Sequence, residues 1–171
     1  MRQSPRTAQS ISRSITDYKP KPFIFPPDMV ILIDTREQQS PLFGRYPKGM
    51  TVSTTTLKIG DYSIRGLENK IAIERKKISD LISYCTTERE ATKIKMSKLQ
   101  SLQWAGLIIE ARESEVYRPY AFSNASPESI RQSLVSFSVR YGVHVYIGDR
   151  DRCAMWMLDR MIKFWKITHE L

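Results

Sequence analysis

GDYSIRGLENKIAIERKKISD, residues 60–80, contains two strand-like runs about a turn, and the fold follows from how they pair. The runs cover 59–65 and 70–76, and the Gly66-Leu67-Glu68-Asn69 stretch between them is rich in turn formers. Pairing the arms about that loop sets Asp61 opposite Glu74, Tyr62 opposite Ile73 and Ile64 opposite Ile71. The last two pairs are core contacts. The first brings two carboxylates to roughly 5 Å on one face, which costs energy unless a cation lies between them. Lys76, two residues beyond Glu74, shares that face. A solvated strand pair would account for any one of these charges. Two acids and a lysine converging beside an apolar reverse face form the constellation that phosphate-ester hydrolysis on a divalent cation requires.

Upstream, MVILIDT at 29–35 is a short, β-branched apolar run and reads as a buried strand, with Asp34, Arg36 and Glu37 emerging at its C-terminal end. The loop that follows carries Pro41, Gly44, Pro47 and Gly49, and interleaves Phe43 and Tyr46 with Arg45 and Lys48 in a way that suits contact with a DNA backbone. Residues 50–57 read as the next strand, giving a three-strand meander through residue 76. Residues 1–27 are basic, with Asp17 as their only acid, and end in KPKPFIFPP. They read as a disordered arm, or as a transit peptide for an organelle, with the fold starting at Asp28.

Downstream, Ser79 is placed to cap a short helix over 80–84, with Asp80 in its first turn. Thr87-Glu88-Arg89-Glu90 has the capping-box pattern and predicts a helix over 88–103. Arg89, Lys93, Lys95 and Lys98 lie on its exposed face, either simply solvated or as a phosphate track. GLIIEA at 106–111 is a buried strand, and Glu110 near its end reads as a strand-end carboxylate. Residues 112–125, with Tyr117, Arg118, Tyr120 and Phe122, are long enough for a substrate-facing flap. Ser126-Pro127-Glu128 opens a helix that Gly142 ends after Tyr141. Residues 143–148 form the next strand, with His144 in a structural role. The segment 151–168 is helical and apolar almost all round, so it must be covered on more than one side, by the core or by a partner subunit. The order of elements predicts an α/β fold in which a mixed central sheet is flanked by helices.

A chain of 171 residues with 41% apolar content can bury one sizeable core. Its formal net charge of +9 points to a polyanionic partner, and without a long apolar run nucleic acid suits it better than a membrane. Cys85 and Cys153 are too few and too far apart for a disulfide framework or a zinc cluster. They fit buried thiols in a reducing interior, with the protein inside the cell where DNA is, in a nucleoid or nucleus.

IDTREQ at 33–38, GDY at 60–62 and ERKKISD at 74–80 together resemble the nuclease domain of the XPF and Hef group of structure-specific endonucleases, within the PD-(D/E)XK superfamily. The resemblance runs in order over about residues 29–150. It implies the restriction-endonuclease-like fold and a Mg²⁺-dependent DNA endonuclease acting at branched, flapped or junction DNA in repair or recombination, with Mn²⁺ as a substitute metal. Asp61 and Glu74 would ligate the metal, with the backbone carbonyl of Arg75 as a further ligand, and Asp34 and Glu37 would complete or extend the shell. Lys76 would orient or help deprotonate the attacking water and steady charge on phosphorus. Arg36 and Arg75 would bind phosphate or brace the carboxylates, Arg89 would fill a basic position on the next helix, and Asp80 would hold a lysine or arginine from behind. The chain departs from the family pattern at Glu90 and Lys93. It also carries no tandem helix-hairpin-helix and no helicase region, so residues 28–171 read as a nuclease domain alone. A homodimer, or a heterodimer with a paralogue, is implied, formed partly through 151–168. Two alternatives stand beside this reading: a catalytically silent DNA-binding or scaffold subunit, and a sequence-specific, restriction-like nuclease of the same superfamily.

Overall fold

The computed structural model describes residues 21–37 and 42–170. Most of the basic arm, Gln38 of the IDTREQ run and Pro41 lie outside these. The strands are β1 (Val30–Asp34), β2 (Thr51–Thr55), β3 (Tyr62–Ile64), β4 (Ile71–Lys77), β5 (Trp104–Glu110) and β6 (His144–Gly148). The helices are α1 (Ile78–Cys85), α2 (Arg89–Gln100), α3 (Glu113–Val116), α4 (Pro127–Tyr141) and α5 (Arg150–Thr168). The strands form one mixed sheet in the order β2-β1-β3-β4-β5-β6. β3 runs antiparallel to both β1 and β4, and every other pair is parallel. The expected α/β class with a mixed sheet and flanking helices is therefore what forms.

Side-chain alternation along β4 builds the layers. Ile71 and Ile73 face one core with Tyr62, Ile64, Ile108 and α5. Ala72 faces the other, with Leu107, Ile109, α1, α2 and α4. The same alternation carries Glu74 and Lys76 to the α1/α2 side and Arg75 to the α5 side, so the strand sorts its charges as strictly as its apolar residues.

The hairpin register is as expected, with Tyr62 opposite Ile73. The meander is not formed. β2 lies beyond β1 at the sheet edge, parallel to it, and β3 inserts between β1 and β4. The 1–27 arm also ends earlier than expected. Phe23 and Phe25 pack on the core, and Pro26 is buried with its carbonyl accepting the Met29 N–H at 3.1 Å.

Neither expected cap acts. β4 runs straight into α1, whose N-cap is Lys77, and the Ser79 hydroxyl bonds to Asp80 instead. In the turn into α2, Ser83 O accepts the N–H groups of Thr86 at 3.1 Å and Glu88 at 2.8 Å, and the helix takes Glu88 rather than Thr87 as its N-cap, without a side-chain hydrogen bond. α2 ends at Gln100, short of residue 103. Gly142 does end α4, at a φ of 65°. Asp149 caps α5 by accepting the Arg152 N–H at 2.9 Å. Most of the apolar surface of α5 is used within the chain, where Cys153, Trp156, Met157, Met161 and Trp165 are buried against the sheet, while Met155 and Ile167 on the same helix stay exposed. Both cysteines are free, buried thiols. No described helix is long and apolar enough to cross a membrane.

Candidate functional site

The candidate centre lies where the C-terminal ends of β1 and β4 meet the start of the antiparallel β3. Gly60 sets its geometry. Its φ is +74°, and a Cβ there would lie 2.9 Å from the Ala72 Cβ and 3.0 Å from the Ile73 carbonyl oxygen. Only glycine allows the chain this close to β4 in that conformation. Asp61 follows, pinned on every side: its N–H donates to Ile73 O at 2.9 Å, its carbonyl accepts the Asp34 N–H at 2.8 Å, and its carboxylate Oδ2 accepts the Arg75 N–H at 2.7 Å. The pair expected opposite each other, Asp61 and Glu74, is thus brought together, with the aspartate reaching one residue further along β4.

Glu74 is buried, and a single oxygen, Oε1, meets two ammonium groups: Lys76 Nζ at 2.6 Å and Lys95 Nζ of α2 at 2.8 Å. Both nitrogens also lie over the Tyr84 ring, 5.0 Å and 5.5 Å from its centroid. Burial and the neighbouring charge of Glu74 push the Asp61 carboxyl up to about 7, against the lowering effect of the Arg75 N–H and Lys76. Burial opposes the charge of Lys76, but Glu74 and then Asp61 outweigh it and hold its pKa above the ordinary lysine value. Asp61 and Glu74 line a depression of about 330 Å³ together with Arg36, Lys58, Lys95 and Lys98. A second opening, of about 180 Å³, is shared by Asp61 with Arg36, Glu37, Lys76, Lys77 and Asp80.

Asp34 does not line either opening. It is 1% exposed, and its oxygens take Arg36 Nε at 2.7 Å, Arg36 Nη2 at 3.0 Å, the Arg36 N–H at 2.8 Å and the Leu57 N–H at 2.6 Å. The Arg36 hydrogen bond, with those backbone donors, lowers its pKa to about 2 despite burial. Asp34 is thereby the anchor that holds Arg36 at the rim, and the metal role expected of it is not what its contacts provide. Glu37 faces the opening but accepts Arg75 Nη1 at 2.7 Å. Arg75 is buried between Glu37 and Glu110 and binds both, so of its two expected roles it takes the bracing one. Glu110 in turn accepts Arg150 Nε at 3.0 Å. Burial raises the Glu110 pKa, but Arg75 and Arg150 outweigh this and lower it. Among the described residues no cluster of three or more His, Cys, Asp or Glu side chains gathers. The expected four-carboxylate shell is thus divided into a facing pair, Asp61 and Glu74, and two acids engaged by arginines.

Asp80 is exposed at the rim, where its carboxylate accepts the Ser79 hydroxyl at 3.2 Å and its charge, after those of Glu74 and Asp61, helps to hold Lys76 protonated across the shared opening. α2 splits its basic residues. Lys95 and Lys98 face the carboxylates, whereas Arg89 and Lys93 line a separate cavity toward α4 and do not join the centre. The 112–125 segment does not reach the centre either: Val116 packs in the core beside Tyr120, whose hydroxyl donates to Val116 O, and Tyr117 lies against α4. In the 42–49 loop, Leu42 and Phe43 are core residues. Sequence reasoning left Lys58 out and took Lys95 as part of a general basic face. The i, i+3 spacing of Lys95 and Lys98 was a usable signal that the two point the same way.

The pair of hard oxygen donors, buried and mutually repelling, fits a divalent cation. The chain matches the ERCC4 domain over residues 33–157. It is similar in structure to XPF from Aeropyrum pernix, with a TM-score of 0.61 at 19% identity over 80% of this chain and 65% of that one. It is likewise similar to XPF from Aeropyrum pernix in complex with DNA, with a TM-score of 0.61 at 18% identity over 81% and 66% of the two chains. This chain therefore spans just under two thirds of those XPF chains, and at such identity the likeness is one of fold. No curated protein sequence matches the chain. The domain match covers most of the chain and includes the IDTRE, GDY and ERKKISD motifs, and on that ground the chain belongs to the ERCC4 domain family.

Proposed function

We propose that the chain is a Mg²⁺-dependent endonuclease hydrolysing DNA phosphodiester bonds, at branched, flapped or junction DNA in repair or recombination. One observation carries the reading: Asp61 and Glu74 are held together, against their own repulsion, in a depression whose other charged residues, Arg36, Lys58, Lys95 and Lys98, are all basic. Family membership and the DNA-bound state of the Aeropyrum pernix XPF support DNA as the polyanion. The branch preference rests on the family alone.

Asp61 and Glu74 would hold the metal, with the Arg75 carbonyl as a further donor and Mn²⁺ as a substitute. When bound, the metal supplies Lewis-acid polarisation of the scissile phosphate and a more acidic water. Lys76, kept charged by Glu74 2.6 Å away, donates to developing negative charge rather than accepting a proton. Arg36, fixed by Asp34, and Lys58, Lys95 and Lys98 hold the backbone phosphates on either side. Arg75, clamped by Glu37 and Glu110, fixes the strand from which Glu74 and Lys76 project.

The pairing with a second chain that the family resemblance implies falls, in this proposal, on α4 and the edge strand β6. Val135 and Val139 are 44% and 82% exposed there, beside Val145 and Tyr146.

A panel of flap, fork, four-way junction and linear plasmid substrates tests the activity with Mg²⁺. Cleavage of the branched substrates supports it, and cleavage of the plasmid at fixed sequences would instead favour a restriction-like enzyme. Cleavage of none, with DNA binding retained, would favour a silent scaffold subunit.

A further inference from the structure

One oxygen of Glu74, Oε1, meets two ammonium groups, Lys76 Nζ at 2.6 Å and Lys95 Nζ at 2.8 Å. The two lysines are held differently. Lys76 projects from β4 two residues beyond Glu74, and its side chain is 16% exposed. Lys95 reaches the same oxygen from α2, on a side chain 44% exposed, and lines the depression of about 330 Å³ with Arg36, Lys58 and Lys98. Among the described residues Lys58 and Lys98 pair with no acid, so Lys95 is the one lysine of that wall whose charge is already engaged. Its ammonium sits on a flexible four-carbon stem, and beyond Glu74 the contact described for it is with the Tyr84 ring, 5.5 Å from the centroid.

Two ammonium groups already outweigh the single charge of Glu74, and both are repelled by a divalent cation on the same carboxylate. Lys76 is confined by its strand and its burial, whereas Lys95 can swing into the depression, where its charge matches a backbone phosphate. We propose that Lys95 is a metal-dependent phosphate ligand: it neutralises Glu74 in the metal-free protein and is released to DNA when Glu74 takes a divalent cation. The inference rests on the metal reading of Asp61 and Glu74. Metal and DNA then favour each other through one side chain, and by linkage the factor is the same in both directions. Lys98, in the same wall and without an acid partner, contributes to DNA binding equally with and without metal.

Fluorescence anisotropy of a labelled flap DNA tests this on the full chain, for wild type, Lys95→Met and Lys98→Met, with Ca²⁺ and with chelator at matched ionic strength. Ca²⁺ is a hard cation for the same oxygen donors. Lys98→Met should weaken binding by the same factor in both conditions. Lys95→Met should weaken it about fivefold more with Ca²⁺ than with chelator, the size of one exposed charge contact. Calorimetric titration of Ca²⁺ should show the reciprocal, with DNA tightening Ca²⁺ binding by a factor about fivefold smaller in Lys95→Met than in wild type. A lysine that only braces Glu74 would give Lys95→Met the same loss in both conditions. That result overturns the inference alone if Ca²⁺ raises the Tm of the wild type and not that of Asp61→Asn. If Ca²⁺ raises the Tm of neither, the metal reading fails and the inference falls with it.

Discussion

Replacing Asp61 by asparagine should stabilise the metal-free protein at neutral and alkaline pH. The amide oxygen can still accept the Arg75 N–H that Asp61 Oδ2 takes at 2.7 Å, so the change removes charge and little else. The carboxyl is raised from 3.8 to about 7, by burial first and then by Glu74. At 1.36 kcal/mol per pH unit this corresponds to at most about 4 kcal/mol. The sign follows from the direction. The folded-state value lies above the unfolded one, so the stability associated with this group is fully present below about pH 4 and is lost as pH rises through about 7. Asp61→Asn should therefore match the wild type near pH 4 and exceed it by a few kcal/mol at pH 8, a Tm gain of up to roughly 10 °C for a chain of this size. Mg²⁺ at pH 8 should raise the wild-type Tm and leave that of the variant nearly unmoved. Calorimetric or CD melts across pH 4–8, with and without Mg²⁺, provide the measurement. A variant that melts below the wild type at pH 8, or that gains as much from Mg²⁺, would refute the reasoning.

Lys95→Met removes one of two ammonium groups from Glu74 Oε1; because Lys95 is 44% exposed the cost in stability should be only about 1 kcal/mol, while half-maximal stabilisation by Mg²⁺, read by thermal shift, should need less metal. Gly60→Ala, forced against Ala72 and Ile73 at positive φ, should cost at least about 2 kcal/mol in denaturant melts. Arg75→Met leaves Glu37 and Glu110 without their shared partner and should cost about 3–5 kcal/mol by the same measurement. Val139→Glu should shift any dimer to monomer in light scattering, whereas Lys163→Glu on α5 should not.

Much of this architecture was legible because it rests on local pattern. The Gly66–Asn69 turn fixes the β3–β4 register, and that register places Asp61, Glu74 and Lys76 together before any tertiary contact is known. Gly142 ends α4 for the same local reason. What was hidden depends on pairings distant in sequence. β2 joins β1 in parallel at the edge, which no hairpin rule would give, and α1 and α2 take Lys77 and Glu88 as N-caps in place of Ser79 and Thr87. The site follows the same division. That Asp34 and Glu37 stand near the centre is readable from the IDTRE run, but which cation each meets is not. Arg36 is two residues from Asp34, whereas Arg75 reaches Glu37 and Glu110 from another strand. Whether α5 is covered by the core or by a partner was left open by its sequence, because β3, β4, β5 and β6, which pack against it, are brought side by side only by the fold.

The central claim is that Asp61 and Glu74 together are the catalytic metal site. The most direct test is cleavage of a labelled flap DNA by wild type, Asp61→Ala and Glu74→Ala at protein concentrations giving equal DNA occupancy, with Mg²⁺ and with chelator. The account predicts cleavage by the wild type with Mg²⁺ alone, none by either variant, and DNA affinity retained in both. Undiminished cleavage by either variant, or by the wild type in chelator, would contradict it.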